Sequence, residues 1–218
     1  EAPLLEDVRA KLKDYPLGDE EDKKSAYQFS KERGVWTEGR FGRILNRPGK
    51  LRFDDRLLVF DLARLSVYPE LQSVLFFVIH SALNRKIRNL ALKKMIVIDE
   101  GWRFFNDEVG SRLIEELYRT ARKNNALILS ISQSPEDFLT SKASTAILAN
   151  SYVKYVLKLQ KGHDELFRFG LNPNEVKACL ELDVRPGVFS ELFIKFHTQG
   201  VLAKIEPSSL EYWIATTD

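Results

Sequence analysis

Hydrophobic and polar positions change their spacing along the chain in a way that predicts alternating strands and helices. Short apolar runs have the length of buried strands, and the stretches between them repeat apolar residues at helical spacing. In chain order these elements are a strand over Arg56–Leu62, a helix over Pro69–Asn89, a strand over Lys94–Asp99, a helix from Asn106 or Asp107 to Lys123, and a strand over Ala126–Ile131. This alternation predicts a parallel sheet with right-handed crossovers.

The flanking parts are predicted to be helical at the beginning of the chain and mixed at its end. Leu4–Leu12 and Glu21–Arg33 have helical spacing, and Gly34–Arg52 is loop-rich and basic. Further on we expect a helix over Lys142–Asn150, a strand over Tyr152–Leu159, short helices over Gly162–Phe169 and Pro173–Leu182, and an antiparallel hairpin of Val188–Phe196 with Val201–Ile205. We divide the chain into a helical and loop region, residues 1–55, and an α/β portion, residues 56–218.

Composition narrows the class of protein. The 218 residues carry 33 basic and 31 acidic side chains, a net charge of +2 that neither demands nor excludes nucleic acid. Cys179 is the single cysteine, which excludes an internal disulfide and fits a reducing compartment. No apolar run approaches the roughly 18–20 residues that span a bilayer, so we expect no transmembrane segment.

The strongest chemical signal is the pair of carboxylates at Asp99 and Glu100, which comes directly after the apolar run Met95–Ile98. A buried strand that ends in two acids is typical of the Walker B element of ATPases, in which one acid supports Mg²⁺ and the next polarises the attacking water. The alternative is that the two acids cap the strand and the helix after it. We favour the nucleotide interpretation.

The usual companion of a Walker B element is missing from the sequence. No G-x-x-x-x-G-K-[ST] phosphate loop occurs in it; at Gly49-Lys50 the next residue is Leu51, and Ile44 stands where the first glycine belongs. The chain therefore resembles the second half of a nucleotide-hydrolysing domain.

Polar residues end all three strands of the predicted sheet. Asp61 ends the first, Asp99 and Glu100 the second, and Ser132 and Gln133 the third. Ligands of open α/β sheets bind at the carboxyl ends of the strands, so these residues are predicted to face one crevice. Gln133 would hydrogen-bond the attacking water or sense the γ-phosphate; the alternative is a polar turn residue before Pro135.

The helix before the third strand ends with three basic residues, Arg119, Arg122 and Lys123. Cations are stabilised at a helix C-terminus, and composition alone favours this simple interpretation. The alternative is an arginine finger that reaches the nucleotide of an adjacent subunit and stabilises charge in the transition state.

Several motifs occur in an order that resembles a known family. They are Leu58-Val59-Phe60-Asp61-Leu62, Met95-Ile96-Val97-Ile98-Asp99-Glu100-Gly101-Trp102, Arg119-Thr120-Ala121-Arg122-Lys123-Asn124-Asn125, Ser132-Gln133-Ser134-Pro135-Glu136-Asp137, Ala149-Asn150-Ser151 and Phe169-Gly170-Leu171-Asn172. From about Gly34 to its end, the chain resembles the C-terminal ATPase domain of bacterial type IV secretion and conjugation ATPases, the VirB-four and TraC type.

This resemblance implies a RecA-like α/β fold, a parallel sheet flanked by helices, here with a helical N-terminal region and a C-terminal β-hairpin. It assigns Asp99 to the Mg²⁺ side of the nucleotide, with an indirect contact, and Glu100 to catalysis. Gln133 matches the glutamine of the downstream strand end. Arg122 and Lys123 match a basic motif that contacts nucleotide, and we expect Arg122 to act across a subunit boundary.

The resemblance also implies an activity. We expect the parent protein to hydrolyse ATP with Mg²⁺ and to energise pilus assembly and conjugative transfer of DNA or protein. The expected form is a homo-oligomer, a hexamer, on the cytoplasmic side of the inner membrane, with other secretion components as partners and DNA as a further candidate. The chain alone is expected to be inactive because the phosphate loop is absent.

Two other functions stay open. A DNA translocase of the FtsK and HerA kind would need a DNA-tracking surface, which the nearly neutral charge does not favour. A non-catalytic docking module for secretion-channel partners would use the helical N-terminal third or the Val188–Ile205 hairpin as its binding surface.

Overall fold

The computed structural model describes residues 3–48, 55–62, 67–101 and 108–216. The chain forms two compact units, Glu1–Gln72 and Ser73–Asp218. Described elements of the first unit are helical, and the second contains both sheets. The predicted α/β fold with a helical N-terminal region is confirmed, whereas the domain division at residue 55 stays a prediction.

The described elements are numbered in chain order. The helices are α1 (Leu5–Lys13), α2 (Glu20–Glu32), α3 (Gly34–Thr37), α4 (Gly39–Leu45), α5 (Pro69–Ile87), α6 (Glu108–Thr120), α7 (Pro135–Thr140), α8 (Ser144–Asn150), α9 (Pro173–Leu180) and α10 (Ser209–Ala215). The strands are β1 (Lys94–Asp99), β2 (Ala126–Ile131), β3 (Val153–Leu157), β4 (Val184–Arg185), β5 (Phe189–Phe196) and β6 (Gln199–Ile205), and 3₁₀ turns cover Ala121–Asn124 and Asp164–Phe169.

The guanidinium of Arg9 connects three helices of the first unit. It extends from α1 and donates hydrogen bonds to the Ser30 carbonyl of α2 at 3.2 Å and to the Thr37 hydroxyl of α3 at 3.1 Å, and it pairs with Glu38. Ser30 and Thr37 are themselves buried. A buried polar group without a partner is costly, so Arg9 stabilises this helical assembly by satisfying both residues.

The prediction of a loop-rich stretch at Gly34–Arg52 is wrong for its first part, which forms α3 and α4. Two glycines that suggested a loop have other roles: Gly39 allows a turn, and Gly42 allows close packing. Gly39, with φ of +60°, turns the chain between the helices, and a Cβ at Gly42 would lie 2.2 Å from the Thr37 carbonyl oxygen. Positions 49–52 lie outside the described residues.

The prediction of a strand over Arg56–Leu62 is also wrong. Residues 55–62 form no strand, so Asp61 does not end one. Leu57 and Val59 are 79% and 80% exposed, which shows that apolar composition alone did not produce burial here. A strand requires a partner strand to hydrogen-bond its backbone, and periodicity carries no information about that partner.

β1 and β2 form the predicted parallel pair, with Lys94 opposite Ala126 and Asp99 opposite Ile131. Helix α6 covers one face of this pair: its buried Leu113, Ile114 and Leu117 lie in a core against which Ile96 and Ile128 pack. Met95, Val97 and Leu127, on the other face, are more than half exposed. Both strands were expected to be buried, whereas the structure shows partial burial on the face toward α6 and exposure on the other face. The predicted caps of α6, Asn106 and Asp107, lie outside the described residues.

A second, four-stranded sheet is antiparallel. Strand β5 pairs with β3 and β4 along one edge and with β6 along the other, so that the predicted hairpin is confirmed as β5–β6. Val156 of β3 and Phe193 of β5 pack with Leu166, Val176 and Cys179 to form the core beneath this sheet.

A buried ion pair attaches α9 to the four-stranded sheet. The Lys195 ammonium of β5 donates to both Glu175 carboxylate oxygens, at 2.7 and 2.8 Å, and both side chains are largely buried. Glu175 also accepts a hydrogen bond from the Asn172 backbone at 2.9 Å and completes the capping box of α9. Gly200 of β6 leaves room for the pair, because a Cβ there would lie 2.9 Å from Glu175 and 2.1 Å from Phe193.

Burial shifts the pKa values of two titratable groups close to the ion pair. Burial and the charge of Lys195, its cross-strand neighbour, lower the pKa of the Lys154 ammonium. Burial, with a smaller effect from Glu175, raises the pKa of the Cys179 thiol to about 11. The thiol is therefore neutral at physiological pH and acts as a packing group.

The substitution Glu175→Gln tests the ion pair. Burial alone would raise the pKa of the Glu175 carboxyl, but the Lys195 and Asn172 hydrogen bonds outweigh it, and the pKa lies below its ordinary 4.5. A carboxylate with a lowered pKa stabilises the fold above about pH 4.5, and this contribution disappears as the pH falls through the folded-state pKa. We expect the variant to lose about 3 kcal/mol of unfolding free energy at pH 7, because Lys195 stays buried without a counter-charge.

Denaturant unfolding at several pH values measures this effect, and the wild-type and variant stabilities should converge at acidic pH. The control is Glu181→Gln, which removes an exposed carboxylate at the end of the same helix and should change stability by less than about 0.5 kcal/mol. Equal stability of Glu175→Gln and wild type at pH 7 would contradict the assigned role of the pair.

Candidate nucleotide site

The parallel pairing of β1 and β2 brings two predicted site segments to one sheet edge. Asp99 ends β1 opposite Ile131, the last residue of β2, and the Glu100 amide donates to the Ile131 carbonyl at 3.0 Å. Gln133 comes two residues later in the chain. Asp99, Glu100 and Gln133 therefore share the carboxyl edge of this pair, where ligands of α/β sheets bind.

The backbone turns sharply at Glu100. Its φ is +50°, in the left-handed region, which costs a residue with a Cβ roughly 1–2 kcal/mol. The next residue, Gly101, is buried, and Glu100 is half-buried while Asp99 is exposed. The turn thus separates the two adjacent carboxylates, leaving Asp99 open to solvent and Glu100 partly enclosed by protein.

A side-chain hydrogen bond spans the turn between β2 and α7. This turn, residues 132–134, carries Gln133 and is called the corner. The Ser132 hydroxyl donates to the carboxylate of Asp137, in the first turn of α7. Between them lie the exposed Gln133 side chain and the buried Pro135, which begins α7. Sequence reasoning predicted Gln133 but overlooked this bond, although the Ser134-Pro135-Glu136-Asp137 spacing is a helix-start signal.

Helix α6 supports β2 through a buried tyrosine. The Tyr118 hydroxyl donates to the Ser130 hydroxyl at 2.7 Å. Burial raises the pKa of the Tyr118 phenol, although its hydrogen bonds to Ser130 and Ser151 act in the opposite direction. The neutral phenol therefore holds the last turns of α6 against β2, one residue before the strand ends.

Arg122 and Lys123 lie at the opposite end of β2. They are exposed residues of the 3₁₀ turn Ala121–Asn124, which precedes the strand. The six residues of β2 place its two ends roughly 17 Å apart at the usual rise per residue. Within one chain, the structure does not bring the basic pair to the edge that carries Asp99, Glu100 and Gln133.

Asn125 fixes the orientation of this basic turn. It has a left-handed φ of +51°, its side-chain amide donates to the Leu90 carbonyl at 2.8 Å, and its own carbonyl accepts from the Lys94 amide at 3.1 Å. Asn is one of the few residues that tolerate this conformation, a signal that apolar periodicity does not contain.

The acid pair fits one kind of metal site. Across the described ranges, no three His, Cys, Asp or Glu residues group closely enough to hold a metal ion by themselves. Mg²⁺ in nucleotide sites is held by one or two carboxylates together with phosphates and waters. Asp99 and Glu100 offer that donor set, so they fit Mg²⁺ that arrives with a nucleotide.

Comparisons with known proteins identify the fold and the family of the chain. The fold is shared with the structure of VirB4 of Thermoanaerobacter pseudethanolicus, at a TM-score of 0.65 and 24% identity over 88% of this chain. This is the P-loop NTPase fold, with a parallel sheet. Residues 19–218 match the TraG P-loop domain, and the chain belongs to that family of type IV secretion and conjugation ATPase domains. The resemblance found in the sequence is confirmed.

A known relative is similar to about half of this chain, and this chain spans only a small part of the relative. Protein TraC of Escherichia coli (strain K12) is 40% identical over 129 residues, which are 55% of this chain and 15% of TraC. The chain also covers only 52% of the VirB4 chain. In the parts of the chain that the structure describes, no helix is long and apolar enough to cross a membrane.

Substitutions of Asn125 test how the basic turn is held. Asn125→Gly keeps the left-handed conformation and loses the hydrogen bond to Leu90, which should cost about 1 kcal/mol of unfolding free energy. Asn125→Ala also strains the backbone and should cost about 1 kcal/mol more. Denaturant titration of both variants measures the difference. Equal stabilities would show that backbone conformation at Asn125 contributes nothing to this turn.

Proposed function

We propose that the complete gene product hydrolyses ATP and that this chain supplies the water-activating half of its nucleotide site. The observation that supports this most directly is the shared strand edge of Asp99, Glu100 and Gln133. The proposed work of the enzyme is to energise pilus assembly and conjugative DNA or protein transfer, as the family resemblance implies.

Asp99, Glu100 and Gln133 have different proposed roles, and the roles of the two acids follow from how exposed their side chains are. Asp99 is exposed and would hold Mg²⁺ indirectly, by accepting hydrogen bonds from water molecules bound to the metal. Half-buried Glu100 orients and polarises the water that attacks the γ-phosphate, and Gln133 detects the γ-phosphate from the neighbouring strand end. Bound Mg²⁺ neutralises the charge that develops on the phosphate oxygens.

Two parts of the site must come from elsewhere. The sequence contains no phosphate loop, and the proposal assigns the phosphate cradle to another part of the parent protein. Arg122 and Lys123 lie at the far end of β2 from the acids, which supports a role for both in the nucleotide site of an adjacent subunit. A ring of subunits, expected to be a hexamer, provides such head-to-tail contacts.

The proposed working location is the cytoplasmic face of the inner membrane, in contact with other secretion components. This location is inferred from the resemblance to type IV secretion ATPases. DNA is a further candidate partner.

Glu100→Gln in the complete gene product tests the catalytic assignment. The amide cannot polarise water as a carboxylate does, so kcat for ATP hydrolysis should fall by about 10² to 10⁴ while ATP still binds. Steady-state phosphate release and nucleotide titration measure the two quantities. Glu108→Gln is the control, because it removes an exposed carboxylate that pairs with Arg112 on the surface of α6. Unchanged turnover in Glu100→Gln would disprove the role of Glu100.

A mixing experiment tests the action of Arg122 across subunits. Arg122→Ala should lower kcat by about 10³. When it is mixed with Glu100→Gln and the subunits exchange, roughly a quarter of the interfaces join an intact acid to an intact arginine. We expect hydrolysis to reappear in the mixture, in proportion to those interfaces.

Arg119→Ala is the matched control for this experiment. Arg119 pairs with Glu115 at 2.7 Å along α6, and its loss should leave kcat within about twofold of wild type. If the exchanged mixture stays inactive, Arg122 does not complete the site of a neighbouring subunit.

A further inference from the structure

We propose that Asp137 is a positioning residue that holds Gln133 in the geometry needed for hydrolysis, acting through its hydrogen bond from Ser132. This inference rests on the proposed function, because it assigns residues that position Gln133 to the same strand-end site. Periodicity and motif spacing gave Asp137 no role of its own.

The start of α7 has the spacing of a capping box. Ser134 precedes the helix and Asp137 is its third residue. The same spacing at Ser208 and Glu211 gives the usual result: the Glu211 carboxylate accepts from the Ser208 amide at 2.8 Å, and the Ser208 hydroxyl accepts from the Glu211 amide at 3.3 Å. Such a box satisfies backbone groups at the start of a helix.

At α7 the carboxylate has a different partner. The Ser134 side chain accepts no capping hydrogen bond, and the Asp137 carboxylate instead accepts from the Ser132 hydroxyl. Helix α7 thus forgoes a stabilising arrangement that its sequence offers. The Asp137 carboxylate instead forms a hydrogen bond with the Ser132 hydroxyl, which connects the two sides of the corner that contains Gln133.

Helix α7 is itself fixed, so it can serve as an anchor for this corner. Pro135 is buried, and a Cβ added to Gly162 would lie 3.2 Å from the Pro135 ring. Phe138 meets Phe169 edge to face, with ring centroids 6.2 Å apart. Asp137 lies between Pro135 and Phe138 in sequence, so both contacts limit the movement of its backbone.

Gln133 needs such an anchor because it lies beyond the last residue of β2 and its side chain is exposed. Ser132 is its immediate neighbour, and holding the Ser132 side chain restricts the backbone from which Gln133 extends. Small displacements of a positioned group strongly reduce catalysis, whereas binding of the remainder of the nucleotide is unaffected. The expected signature is a loss in kcat without a change in KM.

The experiment uses the complete gene product with the substitutions Asp137→Ala, which removes the acceptor of the bond, Ser132→Ala, which removes its donor, and Ser132→Thr. Asp137→Ala and Ser132→Ala should each lower kcat for ATP about 10- to 100-fold, with KM unchanged. The double variant should be no slower than either single variant, because both remove one bond. Ser132→Thr retains a hydroxyl and should restore most of the activity.

Glu136→Gln is the matched control, since it removes an equal charge from the adjacent residue in the first turn of α7 and leaves the Ser132 bond intact. Amide hydrogen exchange of the peptide over residues 131–134 is the second readout. Exchange should become faster in Asp137→Ala and stay at the wild-type rate in Glu136→Gln.

The two readouts separate the possible failures. Unchanged exchange in Asp137→Ala would overturn the anchoring of the corner, whether or not ATP is hydrolysed. Faster exchange with unchanged kcat, or an equal loss of kcat in Glu136→Gln, would overturn the role of Asp137 in positioning. If the wild-type protein hydrolyses no ATP, the proposed function fails and the positioning role with it, while exchange still reports on the anchor.

Discussion

The parallel register of β1 and β2 is the constraint on which the candidate site depends. Parallel strands have their carboxyl ends at the same edge, so pairing Asp99 with Ile131 places the acid pair beside the corner that carries Gln133. The same register places the start of β1 beside Asn125 and the basic turn before β2. One pairing therefore brings the acids and the glutamine together and separates them from Arg122 and Lys123.

The four-stranded sheet contributes to this edge through α7. Its core includes Leu166, in the 3₁₀ turn that ends at Phe169, and Phe169 contacts Phe138 of α7. The Glu175–Lys195 pair holds α9 against the same sheet. The corner that carries Gln133 thus lies between β2 and helix α7, and α7 contacts the core of the antiparallel sheet through Phe138 and Phe169.

The sequence predicted those elements whose signals are local. The strand at Ala126–Ile131 has the predicted bounds, and the β5–β6 hairpin lies within a few residues of its prediction, because apolar periodicity and turn residues decide such elements. Arg56–Leu62 has equally apolar composition and forms no strand, since strand formation depends on a partner elsewhere in the chain. The glycines of Gly34–Leu45 suggested a loop, yet Gly42 is present because α4 approaches the Thr37 carbonyl closely. Close approach is a tertiary property that composition does not encode.

In the site, the shared position of the acid pair and Gln133 was predictable, because Asp99 ends one apolar strand, Gln133 follows the next, and the carboxyl ends of parallel strands share one edge of the sheet. The separation of Arg122 from that edge also follows from chain order, since Arg122 comes just before β2 and therefore lies at the amino end of that strand. An arginine at the far end of β2 has no route to the acids of its own chain across the length of that strand. If it acts on the nucleotide, the acids must belong to a neighbouring subunit, and the site is then an interface whose activity depends on assembly.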